Sequence, residues 1–269
     1  MSRRCGVVGD PIDHSLSPVL HRAGYAALGL DWTYDAWRVA EGSLADFVAA
    51  DEDWRGLSVT APLKREAFLL ASSATDRAGL AGVANTLVRE VDGIRADNTD
   101  IAGAVAALRE RVADVGDAAT ILGGGATAAS VGFALLELGV THLTLLVRDQ
   151  ERAVPTSMAL MTHAAAPRVE VGDLATHRPV GDLLVSTIPA GAQTPELLHR
   201  CATVPVVFEV LYDPWPTPLA ASAEDRFLVG GLDLLVHQAA EQFRLFTGEP
   251  APLAEMRAAG EQALEARDF

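Results

Sequence analysis

The sequence predicts an α/β protein of two domains, and three observations carry that reading. Strand-like and helix-like stretches alternate along the 269 residues. Two extended runs flank Asp92-Gly93, a strong hairpin signal. Further on, a glycine-rich turn running from Gly123 to Ala128 follows one strand and opens a helix, as in a Rossmann-like, dinucleotide-binding fold.

The elements follow in order. "CGVVG" reads as a short buried strand, and a helix starts after Ser17, with Pro18 at its first position, and runs through "VLHRAGYAALG". "DWTYDAWRV" is a second strand, "SLADFVAA" a helix and "GLSVTA" a third strand. Thr60 is then read as an N-cap and Pro62 as the first helical residue, which puts Lys64 in the first turn. In "GVANTLVREVDGIRADNTD", a turn centred on Asp92-Gly93 opposes residues whose numbers sum to about 185, to within about two, and brings Asn85 near Asp100. "IAGAVAALRERVA" is an amphipathic helix that opens the second half.

There, "AATIL", "HLTLLV", "VEVGDL", "DLLVSTIP" and "VPVVFEVLY" supply short apolar strands with loops or helices between them, hence a mainly parallel sheet. A last helix, "LDLLVHQAAEQFRLF", places Leu232, Leu235, Val236, Ala239, Phe243 and Phe246 on one buried face and stops at Gly248. The expected division is a first domain over residues 1–100, a dinucleotide-binding domain over 101–231, and a C-terminal segment, 232–269, packing back on the first.

Composition narrows the function. A formal net charge of −15 argues against bulk electrostatic binding to nucleic acid or anionic membranes, although a local basic pocket for a phosphate stays compatible with it. Cys5 and Cys201 lack the spacing of a disulfide framework or a zinc site, so a reducing compartment is the default and no metal is expected. "MSRRCGVVGDP" breaks before any signal-peptide core, and no apolar run approaches a membrane span. The expectation is a soluble, cytoplasmic protein.

Gly123, Gly125 and Ala128 give G-x-G-x-x-A, in which glycines admit a pyrophosphate and the helix N-terminus offers free N–H donors. The competing explanation is a close turn with no ligand. At the end of the next strand the sequence reads Val147-Arg148-Asp149. Arginine suits the 2′-phosphate of NADP and an acidic residue the free ribose of NAD, so the residues lean to NADP and leave NAD open. Lys64 in a first helical turn is disfavoured by roughly 0.3–1 kcal/mol as a cation, and the same field favours the neutral amine. That suits a lysine that exchanges protons, though a lysine lying on solvent fits too. Asp100 could equally cap the helix that follows it.

Taken together, "GDPIDHSLSPVLH", "SVTAPLK", "ANTL", "ADNTDIAG", "GGGATAA", "YDPWPTPL" and "GGLDLLVHQAAEQF" resemble the shikimate dehydrogenases, in order and over nearly the whole chain. The resemblance implies reversible NADP-linked reduction of 3-dehydroshikimate to shikimate, in aromatic amino-acid biosynthesis. It also implies an N-terminal substrate domain, a dinucleotide domain and a cleft between them. Ser15 and Ser17 match the family's substrate-carboxylate pair; Thr60, Asn85 and Gln238 match residues on the ring hydroxyls, and Tyr212 matches a tyrosine at the substrate. Lys64 matches the catalytic lysine and Asp100 its carboxylate partner. For the cofactor, Gly123, Gly124, Gly125, Ala126 and Thr127 match the phosphate turn, Arg148 the 2′-phosphate arginine, Gly231 a nicotinamide-side contact and Asp76 a position near the cofactor. A homodimer is compatible with it.

The chain departs from the family pattern at several places. Ser58 stands where Asn is common, and Ala126-Thr127 replace a Gly-Ala pair. Val147 and Asp149 replace the Asn and Thr of an N-R-T triplet, and Asp233 stands where Gly is frequent. Asp149 keeps an NAD-linked quinate/shikimate dehydrogenase in view. An enzyme for an amino-substituted shikimate and a non-catalytic dinucleotide-binding regulator stay in view beside it.

Overall fold

The computed structural model describes residues 3–51 and 53–267, and the chain divides into two compact units. The first comprises residues up to Gly103 together with those from Leu235, and the second Ala104–Leu234.

In the first unit the order is β1 (Arg3–Gly9), α1 (Ser17–Ala27), β2 (Trp32–Arg38), α2 (Leu44–Ala50), β3 (Trp54–Val59), α3 (Lys64–Leu70), β4 (Ser73–Ala74), α4 (Asp76–Ala81), β5 (Thr86–Glu90), β6 (Gly93–Asp97) and the start of α5 (Thr99–Arg111). Its described strands form a sheet ordered β2-β1-β3-β5-β6-β4. The β1, β2 and β3 pairings are parallel, whereas β5 runs antiparallel to both β3 and β6. One sheet face buries Val8, Leu57, Val59 and Leu87 against Leu44 and Val48 of α2 and Ala67 of α3. On the other, Phe246 crosses β3 at Gly56, where an added Cβ would lie 2.1 Å from the ring.

The hairpin turn lies one residue earlier than a turn centred on Asp92-Gly93. Glu90 pairs with Gly93 and Thr86 with Asp97, so the two-residue turn is Val91-Asp92. Gly93 takes φ +134°, a conformation open to glycine, and starts the return strand. The shift lies within the two-residue tolerance and still leaves Asn85 beside Asp97, whose carbonyl accepts from the Asn85 N–H at 3.2 Å.

The second unit continues with β7 (Ala118–Leu122), α6 (Ala126–Glu137), β8 (His142–Val147), α7 (Gln150–Met161), β9 (Arg168–Asp173), β10 (Leu183–Ser186), α8 (Pro195–Cys201), β11 (Val206–Glu209), α9 (Pro218–Ala221) and β12 (Phe227–Val229). Its described strands are all parallel, in the order β12-β11-β10-β7-β8-β9. That order reverses direction at β7, so the glycine turn after β7 sits at a topological switch point. Pro155 lies inside α7. The short β4 and β12 carry too few residues for a periodic signal.

α10 (Gly231–Thr247) ends at Gly248, φ +82°, and α11 (Leu253–Glu265) packs on α1. The buried face of α10 differs from the expected one. Leu232 and Leu235 are only partly buried, while Leu234, Gln238 and Gln242 join Val236, Ala239, Phe243 and Phe246 inside. Among the described residues, no helix is long and apolar enough to cross a membrane.

One buried group sets a pH dependence. His21 of α1 is fully buried and stacks on Tyr34 at 4.2 Å. Burial pushes its imidazole from 6.5 down to about 3, against a weaker upward pull from Gln242. Below pH 6.5 the unfolded chain takes up a proton that the folded chain refuses. Stability is therefore full above that value and lost as pH falls toward 3. Urea unfolding at pH 7.5 and pH 5 should show this loss in the wild type, and His21→Phe should lack about 2 kcal/mol of it. An identical pH dependence in the variant would refute the assignment.

Candidate active site

Lys64 is held differently from the expectation. Thr60 does not cap a helix, and Pro62 precedes α3 rather than opening it. Residues 61–63 form a turn closed by the Leu63 N–H on the Thr60 carbonyl at 3.0 Å, after a cis Ala61-Pro62 bond. Lys64 is thus the first helical residue, with Leu63 at the cap position and no side-chain cap. Its carbonyl accepts from the Ala84 N–H at 2.8 Å, which ties α3 to the start of β5.

Lys64 Nζ donates to Asp100 Oδ2 at 2.6 Å, and both residues are buried, at 9 % and 6 % exposure. Asp100 sits inside the first turn of α5 and spends its carboxylate on side chains, not on a helix cap. Its other oxygen, Oδ1, accepts from Asn85 Nδ2 at 2.8 Å. Asn85 Nδ2 also reaches Thr99 Oγ1 at 2.9 Å and Gln238 Oε1 at 3.2 Å. Asn85 Oδ1 accepts from the Thr99 N–H at 2.8 Å and Thr86 Oγ1 at 2.9 Å. Gly103 lets α10 in: a Cβ there would stand 2.8 Å from Gln238 Cβ. The hairpin, the starts of α3 and α5 and the middle of α10 therefore bring Lys64, Asn85, Asp100 and Gln238 into one hydrogen-bonded cluster. A buried lysine held against a carboxylate can deliver a proton as the ammonium and take one back as the amine, at a fixed point.

Ser15 and Ser17 flank Leu16 at the start of α1, and Ser15 Oγ accepts from the Ser17 N–H at 3.3 Å. Among the described residues neither hydroxyl, nor that of Thr60, donates to a protein acceptor, so all three keep a donor for a ligand. Tyr212 lies half-buried in the second unit, in the loop after β11. That loop is anchored by a residue to which the sequence pattern does not point, the fully buried Glu209. Its carboxylate accepts from Gln193 Nε2 at 2.6 Å, Thr217 Oγ1 at 2.9 Å and the Leu211 N–H at 3.1 Å, and burial raises its pKa.

The glycine turn has a distinct reason at each position. Gly123 adopts φ +111°, and at Gly124 a Cβ would meet Ala153 Cβ at 2.7 Å, so this glycine lets α7 close on the turn. At Gly125 a Cβ would meet nothing within 4 Å, so the turn is open on that side. Gly125 is the N-cap of α6, whose start carries no side-chain cap. These features fit a pyrophosphate accepted by the turn and the helix N-terminus, with Ala126 and Thr127 in the first turn. Arg148 is exposed directly after β8. Asp149 caps α7: its Oδ1 accepts from the Glu151 N–H at 3.0 Å and the Arg152 N–H at 3.3 Å. A Cβ on Gly231 would lie 2.3 Å from the Leu211 carbonyl oxygen, so glycine is required where α10 begins against the Tyr212 loop. Asp76 belongs to the first unit and is exposed at the start of α4, where Thr75 and not Asp76 supplies the cap.

The family model described as the shikimate dehydrogenase substrate binding domain matches residues 7–87, and that of the shikimate 5'-dehydrogenase C-terminal domain matches residues 231–259. A shikimate dehydrogenase (NADP(+)) of Xanthomonas euvesicatoria is 38% identical over 266 residues, covering 91% of this chain and 90% of its own. The chain belongs to the shikimate dehydrogenase family. A second relative of that description, from Methanosarcina acetivorans, is 34% identical over 284 residues and covers 99% of this chain and 100% of its own. The crystal structure of Mycobacterium tuberculosis shikimate dehydrogenase superposes with a TM-score of 0.85 at 39% identity, covering 97% of this chain and 99% of that one. The fold class is that of this family, mixed α/β with two domains.

Proposed function

We propose that this chain catalyses the reversible, NADP-linked reduction of 3-dehydroshikimate to shikimate, with Lys64 and Asp100 handling the proton. Membership of the family supports the reaction and the cofactor. The observation that carries the proton assignment is the buried Lys64–Asp100 hydrogen bond at 2.6 Å.

When bound, NADP would supply the hydride chemistry. The chain's own residues do the rest. In reduction, Lys64 as ammonium stabilises the negative charge growing on the carbonyl oxygen and gives it a proton; in oxidation, neutral Lys64 takes the hydroxyl proton back. Asp100 orients Lys64 through Oδ2 while Asn85 holds Oδ1. Ser15 and Ser17 grip the substrate carboxylate. Thr60, Asn85, Gln238 and Tyr212 recognise the ring, and a ligand lacking a hydroxyl would strand one of these partners, of which Asn85 and Gln238 are buried.

Gly123, Gly124, Gly125, Ala126 and Thr127 would hold the pyrophosphate, Arg148 would pair with the 2′-phosphate, and Gly231 and Asp76 would serve the cofactor side. Asp149 bears on NADP against NAD. Its carboxylate already serves as the cap of α7, which supplies a reason for an acidic residue there other than binding a free ribose. Two buried free thiols, Cys5 and Cys201, are in keeping with a reducing, cytoplasmic setting.

Initial rates of reduced-cofactor formation from shikimate and from quinate, each with NADP and NAD at equal concentration, test the proposal. The expected result is highest kcat/KM for shikimate with NADP. Preference for quinate with NAD would replace it by the quinate branch, and turnover of neither would favour a regulator.

A further inference from the structure

Beyond the cluster around Lys64 lies a second buried polar group that the reaction as described does not use. Gln242 follows Gln238 by four residues on α10 and is 1 % exposed, on a face otherwise filled by Ala239, Phe243 and Phe246. An apolar residue would fill that place without hydrogen-bonding demands. Instead, every polar atom of the side chain is engaged. Gln242 Oε1 accepts from Ser58 Oγ at 2.7 Å, and Nε2 donates to the Asn85 carbonyl and to Thr86 Oγ1, each at 3.0 Å.

The donors run in one direction. Ser58 spends its proton on Gln242, so the Tyr34 hydroxyl donates to Ser58 Oγ. Thr86 Oγ1 accepts from Gln242 and donates to Asn85 Oδ1, and Asn85 Nδ2 donates to Asp100 Oδ1. Tyr34 and Thr86 are 0 % exposed and Ser58 is 4 %, so water does not compete for these links. A fully satisfied buried network fixes one geometry. Together with the Thr99 N–H, which also donates to Asn85 Oδ1 at 2.8 Å, it fixes which end of the Asn85 amide faces the carboxylate.

We infer that Gln242, held by Ser58 and Tyr34, is a positioning residue for proton transfer: it locks Asn85 toward Asp100 and so sets the orientation in which Asp100 presents Lys64. The inference rests on the proposed roles of Lys64 and Asp100. It also gives Ser58 a purpose, since its hydroxyl serves the network.

A double-mutant cycle tests it, comparing wild type, Gln242→Met, Asn85→Ala and the double variant by kcat, both KM values and thermal unfolding. Gln242→Met keeps the length of the side chain and removes its hydrogen bonds. We expect it to lower kcat about 10-fold through misplacement of the pair. The KM for NADP should be unchanged, and the loss should disappear in the Asn85→Ala background. Should Gln242→Met not fold, Ser58→Ala and Tyr34→Phe enter the same cycle, with smaller losses expected that also vanish without Asn85. Wild-type kcat in these variants, or an equal loss with and without Asn85, would overturn the inference while leaving the proposed reaction intact. A wild type that does not turn over shikimate would remove both.

Discussion

Replacing Arg148 by Ala is expected to raise the KM for NADP by about 10- to 150-fold, the equivalent of losing about 1.5–3 kcal/mol of charge-assisted hydrogen bonding. The KM for NAD, which has no 2′-phosphate, should hardly move. The reason is position: Arg148 is the exposed residue directly after β8, one step before the cap of α7. Asp149 sharpens the test, because it combines a stabilising cap with a negative charge beside that arginine. Asp149→Thr keeps a capping oxygen and removes the charge. It should lower the KM for NADP severalfold with little change in stability, whereas Asp149→Ala should also cost about 1 kcal/mol through loss of the cap. Steady-state kinetics with both cofactors, alongside thermal unfolding, check these outcomes. An Arg148→Ala variant with unchanged cofactor preference would show that the 2′-phosphate is read elsewhere.

The largest effect should come from Lys64. General acid–base catalysis by a positioned side chain contributes about 10²- to 10⁴-fold, so Lys64→Met should lower kcat by that range. The partner predicts a second signature. Removing only the lysine leaves Asp100 buried with Asn85 as its remaining named donor, and breaking one side of a buried pair costs about 3–5 kcal/mol. Lys64→Met/Asp100→Asn removes both charges and should recover part of that stability. Its kcat should be no worse than that of Lys64→Met alone, because residues acting as a unit are strongly non-additive. Additive losses in kcat would mean that the two side chains work separately.

Much of this arrangement was legible in the residues themselves. Asp92-Gly93 between extended runs gave the hairpin, and the hairpin brought Asn85 to Asp100. The series of short apolar strands separated by helices or loops gave the second unit's parallel sheet. What could not be read depended on contacts distant in the chain. The entry to α3 was misread because Thr60 and Pro62 suit a helix start in isolation, while the backbone there is committed to Val8 and to a turn. Of the polar residues inside α10, Gln238 was drawn in by family likeness alone, and Gln242 was missed because it looks solvent-facing until Ser58, Asn85 and Thr86 close on it. Leu232 and Leu235 seemed to define the buried face by spacing, yet α10 is rotated so that Leu234 and the two glutamines point inward. Glu209 carried no periodic signal at all, since a carboxylate at a strand end is usually solvated.

The role of Lys64 is decided by single-turnover oxidation of NADPH by 3-dehydroshikimate, in wild type and Lys64→Met, with calorimetric binding of shikimate and NADP measured on the same preparations. Rapid oxidation is expected from the wild type. Lys64→Met should bind NADP as the wild type does and shikimate within about tenfold, with transfer slowed at least about 100-fold. Transfer at the wild-type rate by a folded, ligand-saturated Lys64→Met would contradict the claim that Lys64 moves the proton.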